Sequence, residues 1–274
     1  MESNTQKWAE LLNQVLDAPG VIHDCLSMFR KYSLSNTCLI AFQCQERGLQ
    51  MGPVATFEQW KKQGRYVRKG EKALAMWMPI TVNVKETDEE TGERVKTGNK
   101  RVIFVLKNNW FTYAQTDGEE IAMPEMGEFS VGNALAALDI VQEPYDMAKV
   151  GNSAMGYAYK RIVAVNPMCP KPLATMLHEL GHVVLGHTER GESMTDAAEL
   201  PRCIKELEAE SVAMLVLDAL GDSESAVFCR GYIQHWLKSG GVSSVPEASA
   251  KRIFGAADKI LKAGLGELQE AVAA

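Results

Sequence analysis

The sequence predicts an α+β protein of two domains: helices and a small β-sheet in the N-terminal half, a mainly helical C-terminal half. Three observations carry that prediction. Apolar residues recur at three-and-four spacing in "KWAELLNQVL" and "VIHDCLSMFRKYSLSNTCLIAFQCQERG", the period of a helix with one buried face. The texture then changes to β-branched and aromatic residues in "KALAMWMPITVNVK" and "KRVIFVLKNNWFTYAQ", as strands require. Helical patterns return in the second half and continue through "GYIQHWLKSGG" and "ASAKRIFGAADKILKAG".

Gly20 and Gly48 are expected stops for the first helices, because glycine adopts the backbone angles that end a helix. The two strands are joined by a polar, charged hairpin tip, "ETDEETGERVKTGNK". A stretch rich in Gly, Pro and Glu, Ala114 to Asn133, marks the expected boundary, giving domains of residues 1–125 and 126–274. With 274 residues the chain can fill two cores of ordinary size.

Bulk properties narrow the class. Hydrophobic residues make up 46% and charged residues 23%, a globular balance rather than a disordered one. The start has no basic segment followed by an apolar one, so no signal peptide is expected. No apolar run approaches the roughly 18 residues of a membrane span. Six cysteines, Cys25, Cys38, Cys44, Cys169, Cys203 and Cys229, are scattered without a CxxC pair, which suits reduced core residues of a cytoplasmic protein. Residues 1–125 hold sixteen Lys or Arg against sixteen Asp or Glu, and residues 126–274 hold thirteen against nineteen, so the whole excess of −6 lies in the second half.

Within the neutral half, "WKKQGRYVRKGEK" groups Lys61, Lys62, Arg65, Arg68, Lys69 and Lys72 around Trp60 and Tyr66, with Trp77, Trp110 and Phe111 on the strands that follow. Cations that track phosphates and aromatic rings that stack on bases are the means by which single-stranded nucleic acid is held. The same composition also describes a solvated charged turn beside core aromatics, and a half of zero net charge lacks the field of a strongly basic binder.

The second half carries a sharper motif, "TMLHELGHVVLGH", Thr175 to His187. Pro170 and Pro172 precede an apolar run from Leu173 to Leu185, and Gly186 can close it. On that helix His178 and His182, four residues apart, lie on one face. Two imidazoles so placed can approach one tetrahedral Zn²⁺, with Glu179 set to take a proton from water beside it. A buried helix with hydrogen-bonded histidines is the alternative, but it must satisfy three buried polar groups without a cation. A third ligand at position 188 is ruled out because Thr188 stands there, and His187 falls one residue short. The next helix, "PRCIKELEAESVAMLVLDALG", offers Glu206, Glu208 and Glu210. Glu206 and Glu210 share a stripe with Cys203, Ala213, Met214 and Leu217, and Glu208 points almost the opposite way. Glu206 is assigned as the third ligand and Glu210 as the carboxylate that orients a histidine, the reverse assignment being the alternative.

"HELGH" followed by "ExxAE" on a downstream helix resembles the glutamate-type zincin metallopeptidases. "TMLHELGHVVLGHTE" with "KELEAESVAMLVLDALG" is similar to the metallopeptidase domain of ArdC-type antirestriction proteins, with the ImmA/IrrE peptidases as more distant relatives. "NTCLIAFQCQERG", "VATFEQWKKQGRYVRKGEKALAMWMP" and "NNWFTYAQTDG" resemble the single-stranded-DNA-binding domain that precedes the peptidase domain in that family. The resemblance covers roughly residues 36–220. It implies a bacterial cytoplasmic protein carried on a plasmid or other mobile element, binding single-stranded DNA through Trp60, Lys61, Lys62, Arg65, Tyr66, Arg68, Lys69 and Lys72. It also implies one zinc ion, or another divalent transition metal, in the second domain. Two functions stand side by side: a protector of incoming DNA with the metal site in support, and a working endopeptidase that its DNA-binding domain brings to a protein substrate. The acidic tip "ETDEETGE" departs from a simple binding sheet.

Overall fold

The structure, a computed structural model, describes residues 7–18, 20, 22–23, 26, 31–87, 94–122, 127–150, 154–189 and 196–266. By packing, the chain divides into two units: residues 1–5 with Leu39–Ala122, and Gln6–Cys38 with Met123–Ala274. The α+β class and the two-part organisation are as the sequence predicts.

In the first unit, strands β1 (Val54–Thr56), β3 (Leu74–Thr87) and β4 (Arg94–Thr112) form one antiparallel sheet in the order β1-β4-β3. The register runs Met76↔Lys107 to Val82↔Arg101 along the long hairpin. The strand continues through Arg94–Lys100, which the sequence suggested as hairpin tip; residues 88–93 lie outside the described residues. A short helix, α3 (Phe57–Lys62), is started by a reciprocal cap: Gln59 N donates to Thr56 Oγ1 and Thr56 N to Gln59 Oε1. It leads into β2 (Arg65–Val67), which pairs antiparallel with β5 (Thr116–Gly118). Helix α2 (Leu34–Glu46) ends in this unit, and Gln43 there donates to Ala75 O and accepts from Ala75 N, replacing ladder bonds where the β3 register shifts.

The second unit is built around helix α8 (Arg202–Ala219). Its residues from Leu207 to Ala219 are all buried, the carboxylates Glu208, Glu210 and Asp218 included. Helices α6 (Pro172–Val184), α9 (Ser223–Ser239) and α10 (Glu247–Leu265) pack against it. A small sheet of β6 (Val141–Gln142), β8 (Ile162–Val165) and β7 (Gly156–Tyr159), in that order, lies beside α6. This sheet was not anticipated, although "GYAYKRIVAV" carries the β-branched and aromatic residues of a hairpin. Short helices α4 (Val131–Ala137), α5 (Met147–Val150) and α7 (Asp196–Glu199) complete the unit.

Gln6–Cys38 packs with this unit although the sequence division at 125/126 groups it with the N-terminal half. Carboxylates of the C-terminal helices supply the reason. Glu247 accepts from Trp8 N and Ala9 N at the start of α1 (Trp8–Asp17), at 3.0 and 2.8 Å. Asp218 accepts from Gly20 N at 2.6 Å and Ile22 N at 3.4 Å, and Asp258 from Leu34 N at 3.0 Å. Helix starts leave amides without internal partners, and these side chains satisfy them.

Candidate metal centre

Helix α6 brings His178, Glu179 and His182 to one place by its own geometry, and its approach to α8 brings them to Glu206 and Glu210. Gly181 makes the approach possible: a Cβ there would lie 3.2 Å from Ala209 O and 3.3 Å from Ala209 Cα. The result is a cluster of three donors, His178, His182 and Glu206, all within 4.8 Å of one another. His178 Nε2 and His182 Nε2 are 3.1 Å apart, and Glu206 Oε2 lies 3.4 Å from the first and 3.6 Å from the second. Donors held about 2.0–2.1 Å from one tetrahedral centre stand about 3.3 Å apart, so these residues fit a divalent cation and leave a fourth position open.

Glu210 takes the other side of the first histidine: its Oε2 is 2.8 Å from His178 Nδ1, at an angle short of a straight hydrogen bond. The electrostatics follow from burial and crowding. Burial by itself depresses the His178 pKa, but Glu206 and Glu210 outweigh it and raise it to about 10. His182 is lowered to about 4, chiefly by burial. Glu206 is held far below the usual carboxylate range by the two histidines despite its burial. The two carboxylates thus favour a proton on His178, and a metal bound here would compete with that proton.

Glu179 is 7% exposed. Burial raises its pKa to about 7, opposed by His178 and reinforced by Glu206 and Glu210. It lies against β7, where a Cβ on Gly156 would fall 2.8 Å from Glu179 Oε1 and 2.7 Å from Thr175 Cγ2. Glycine at 156 thus gives the carboxylate its room. The cluster sits in a cleft of about 580 Å³. One wall is β7, at the end of its sheet; the other carries Phe228, Tyr232 and Trp236 from α9, with Lys171, Arg202 and Lys205 also lining it.

The sequence pattern gives His187 and Glu208 no place at the site and gives no sign of Arg252. His187, set aside as misplaced for a ligand, is buried with its Nδ1 3.0 Å from His182 Nδ1 and its Nε2 3.0 Å from Glu208 Oε2. Glu208 does point away from Glu206, into contact with His187 and Arg252. The available signal was a carboxylate at position 208 inside an apolar helix, which needs a partner.

The basic segment of the first unit divides in two. Trp60 is 1% exposed; its indole N–H donates to Phe111 O at 2.9 Å and its ring meets Tyr113 edge-on. Arg65 is buried over the Tyr113 ring and donates to Thr116 Oγ1, Thr116 O and Gly118 O, tying β2 to β5. Both are corrected from the expected DNA-contacting set, because both side chains are buried and bonded within the unit, and a buried group offers neither a face to a base nor a charge to a phosphate. Trp77 and Trp110 are core residues as well. Tyr66 is 59% exposed, and Lys61, Lys62, Arg68, Lys69 and Lys72 are also exposed. Arg68 is engaged by Glu71 at 2.8 Å and Asp117 at 3.4 Å. The acidic tip falls largely on residues 88–93, outside the described residues.

Residues 1–121 match the family described as the N-terminal domain of anti-restriction factor ArdC. The whole fold is similar to the metal-free crystal structure of the antirestriction protein ArdC from plasmid R388, with a TM-score of 0.51 and 16% identity over 94% of this chain and 97% of that one. The Mn(II)-bound crystal structure of that protein gives a TM-score of 0.49 and 14% identity over 95% of this chain and 98% of the other. No curated protein sequence matches. Among the described residues no helix is long and apolar enough to cross a membrane.

Proposed function

Starting from an ArdC-type N-terminal domain and the ArdC fold, we propose that this protein is an antirestriction factor of a mobile element. In this reading it binds single-stranded DNA through its N-terminal domain and carries a zinc-dependent, metallopeptidase-like centre in its C-terminal domain. The observation that carries the second half is the convergence of His178 Nε2, His182 Nε2 and Glu206 Oε2 at 3.1–3.6 Å. These residues would hold the ion, and Glu210 would orient His178 from behind. A bound Zn²⁺, or another divalent transition metal, supplies Lewis acidity to a carbonyl and to water at the site. Glu179, with its pKa raised to about 7, is suited to take and return a proton near neutral pH. In the N-terminal domain Lys61, Lys62, Lys69 and Lys72 would meet phosphates, with Arg68 more weakly committed because of its carboxylate partners, and Tyr66 would stack on a base. The place of action is the bacterial cytoplasm, where incoming single strands are exposed to host enzymes.

A second reading, an endopeptidase acting on a host or regulatory protein, is favoured by one feature: Glu179 is intact and poised in the cleft beside β7. A group that gives chemistry but no metal bond is of no use to a purely structural site. The test is conjugative entry of unmodified DNA into a restricting cell. Protection that survives Glu179→Ala and fails when Lys61, Lys62, Lys69 and Lys72 are changed to Gln supports the protector. The opposite pattern makes the protein primarily a protease.

A further inference from the structure

His187 is not a ligand in the reading above, yet it is 4% exposed and bonded at both nitrogens. Its Nε2 stands 3.0 Å from Glu208 Oε2. Glu208 is 0% exposed, and Arg252 on α10 donates to its Oε1 through Nη2, with Nε 3.4 Å from Oε2. Glu208 sets the direction of each hydrogen bond in turn. A carboxylate facing a guanidinium is ionised and can only accept, so His187 Nε2 carries a hydrogen. A neutral imidazole protonated at Nε2 offers Nδ1 as an acceptor. His182 Nδ1, 3.0 Å away, is then the donor. That leaves the lone pair of His182 on Nε2, the atom 3.1 Å from His178 Nε2 and 3.6 Å from Glu206 Oε2.

We infer that His187, Glu208 and Arg252 form a positioning relay that locks His182 in the one tautomer able to ligate a metal through Nε2, and so ties metal affinity to helix α10. The two histidines of the site are served separately, His178 by Glu210 directly and His182 by Glu208 through His187. His187 thus does from the turn after α6 what a carboxylate commonly does for a ligating histidine. The consequence for metal affinity rests on the metal reading above; the tautomer does not.

The experiment has two arms on the full-length protein. In the metal-free state, the ¹³Cδ2 and ¹⁵N resonances of His182 report which nitrogen carries the hydrogen. The relay requires Nδ1–H in the wild type, and its loss in His187→Phe, which keeps a ring but removes the acceptor. In the second arm, Zn²⁺ affinity is measured by competition with a chromophoric chelator. His187→Phe and Arg252→Met should weaken it by about 10–100-fold. His187→Gln, whose side-chain carbonyl can accept from His182, should recover most of the loss. Nε2–H on His182 in the wild type, or wild-type affinity in a folded His187→Phe, overturns the inference. Should His187→Phe not fold, the wild-type tautomer and the Gln variant still decide. A wild type that binds no Zn²⁺ defeats the metal reading, and the relay is then judged by the tautomer alone.

Discussion

His178 is shared between two carboxylates one helical turn apart: its Nδ1 lies 2.8 Å from Glu210 Oε2 and its Nε2 3.4 Å from Glu206 Oε2. The two glutamates therefore differ in kind. Glu206 faces both imidazole Nε2 atoms, and Glu210 only the far side of one ring.

This difference sets the first prediction. One divalent ion should bind per chain, and His178→Ala or His182→Ala should abolish binding and remove the rise in melting temperature that Zn²⁺ gives the wild type. Glu210→Gln should weaken Zn²⁺ by about 10–100-fold and Glu206→Gln by far more. Metal content by elemental mass spectrometry and affinity by chelator competition check this. Equal content in the wild type and both histidine variants would remove the metal centre.

The second prediction concerns the exposed cations. Changing Lys61, Lys62, Lys69 and Lys72 to Gln should weaken single-stranded DNA binding by the full chain and lower the slope of log affinity against log salt by up to roughly 3, at about 0.7 per phosphate contact. Tyr66→Ala should cost about 1–3 kcal/mol if its ring stacks on a base. Duplex should bind less well, because its base faces are covered. Fluorescence anisotropy across a salt series reads all three, and an unchanged slope in the four-lysine variant would place the DNA elsewhere.

A third expectation separates the buried residues of the same segment. Trp60→Ala should destabilise the first unit by about 3–5 kcal/mol, as other buried aromatic truncations do. Arg65→Met should also destabilise it, by stranding Thr116 O and Gly118 O. At temperatures where both variants are folded, DNA affinity should stay at the wild-type level. Urea unfolding together with anisotropy tests this, and a selective loss of DNA binding in folded Trp60→Ala would return that residue to the interface.

The pH dependence of stability gives a fourth. Burial opposes the charge on Glu208, but His187 and Arg252 prevail and hold its pKa below the ordinary 4.5. A depressed carboxylate contributes stability that is present above its unfolded pKa and lost as pH falls through the folded value. Glu208→Gln has no such charge. The stability difference between wild type and Glu208→Gln should thus hold from about pH 7 to 5 and close as pH drops below about 4.5. Urea midpoints over that range check it, and a gap independent of pH would show that Glu208 is not charge-paired.

The sequence by itself determined what helix geometry alone can fix. A spacing of four puts His178 above His182 and Glu206 in line with Glu210 on their own helices, whatever the rest of the chain does. β-branched and aromatic content likewise marked the two strands of the long hairpin, though not the extension of β4 through Arg94–Lys100. Tertiary structure decided everything that depends on which distant groups meet. His187, Glu208 and Arg252 come from a turn and two helices 21 and 44 residues apart in sequence, and no local period encodes their contact. Trp60 among lysines has the composition of an exposed stacking platform, but it is buried where the end of β4 and the turn after it meet its helix, through Phe111 O and the Tyr113 ring. Gln6–Cys38 packs with the second unit for the same reason: its amide partners, Asp218, Asp258 and Glu247, lie some two hundred residues away. Local spacing sets the direction of a side chain relative to its own helix or strand, and only the folded chain sets what it faces.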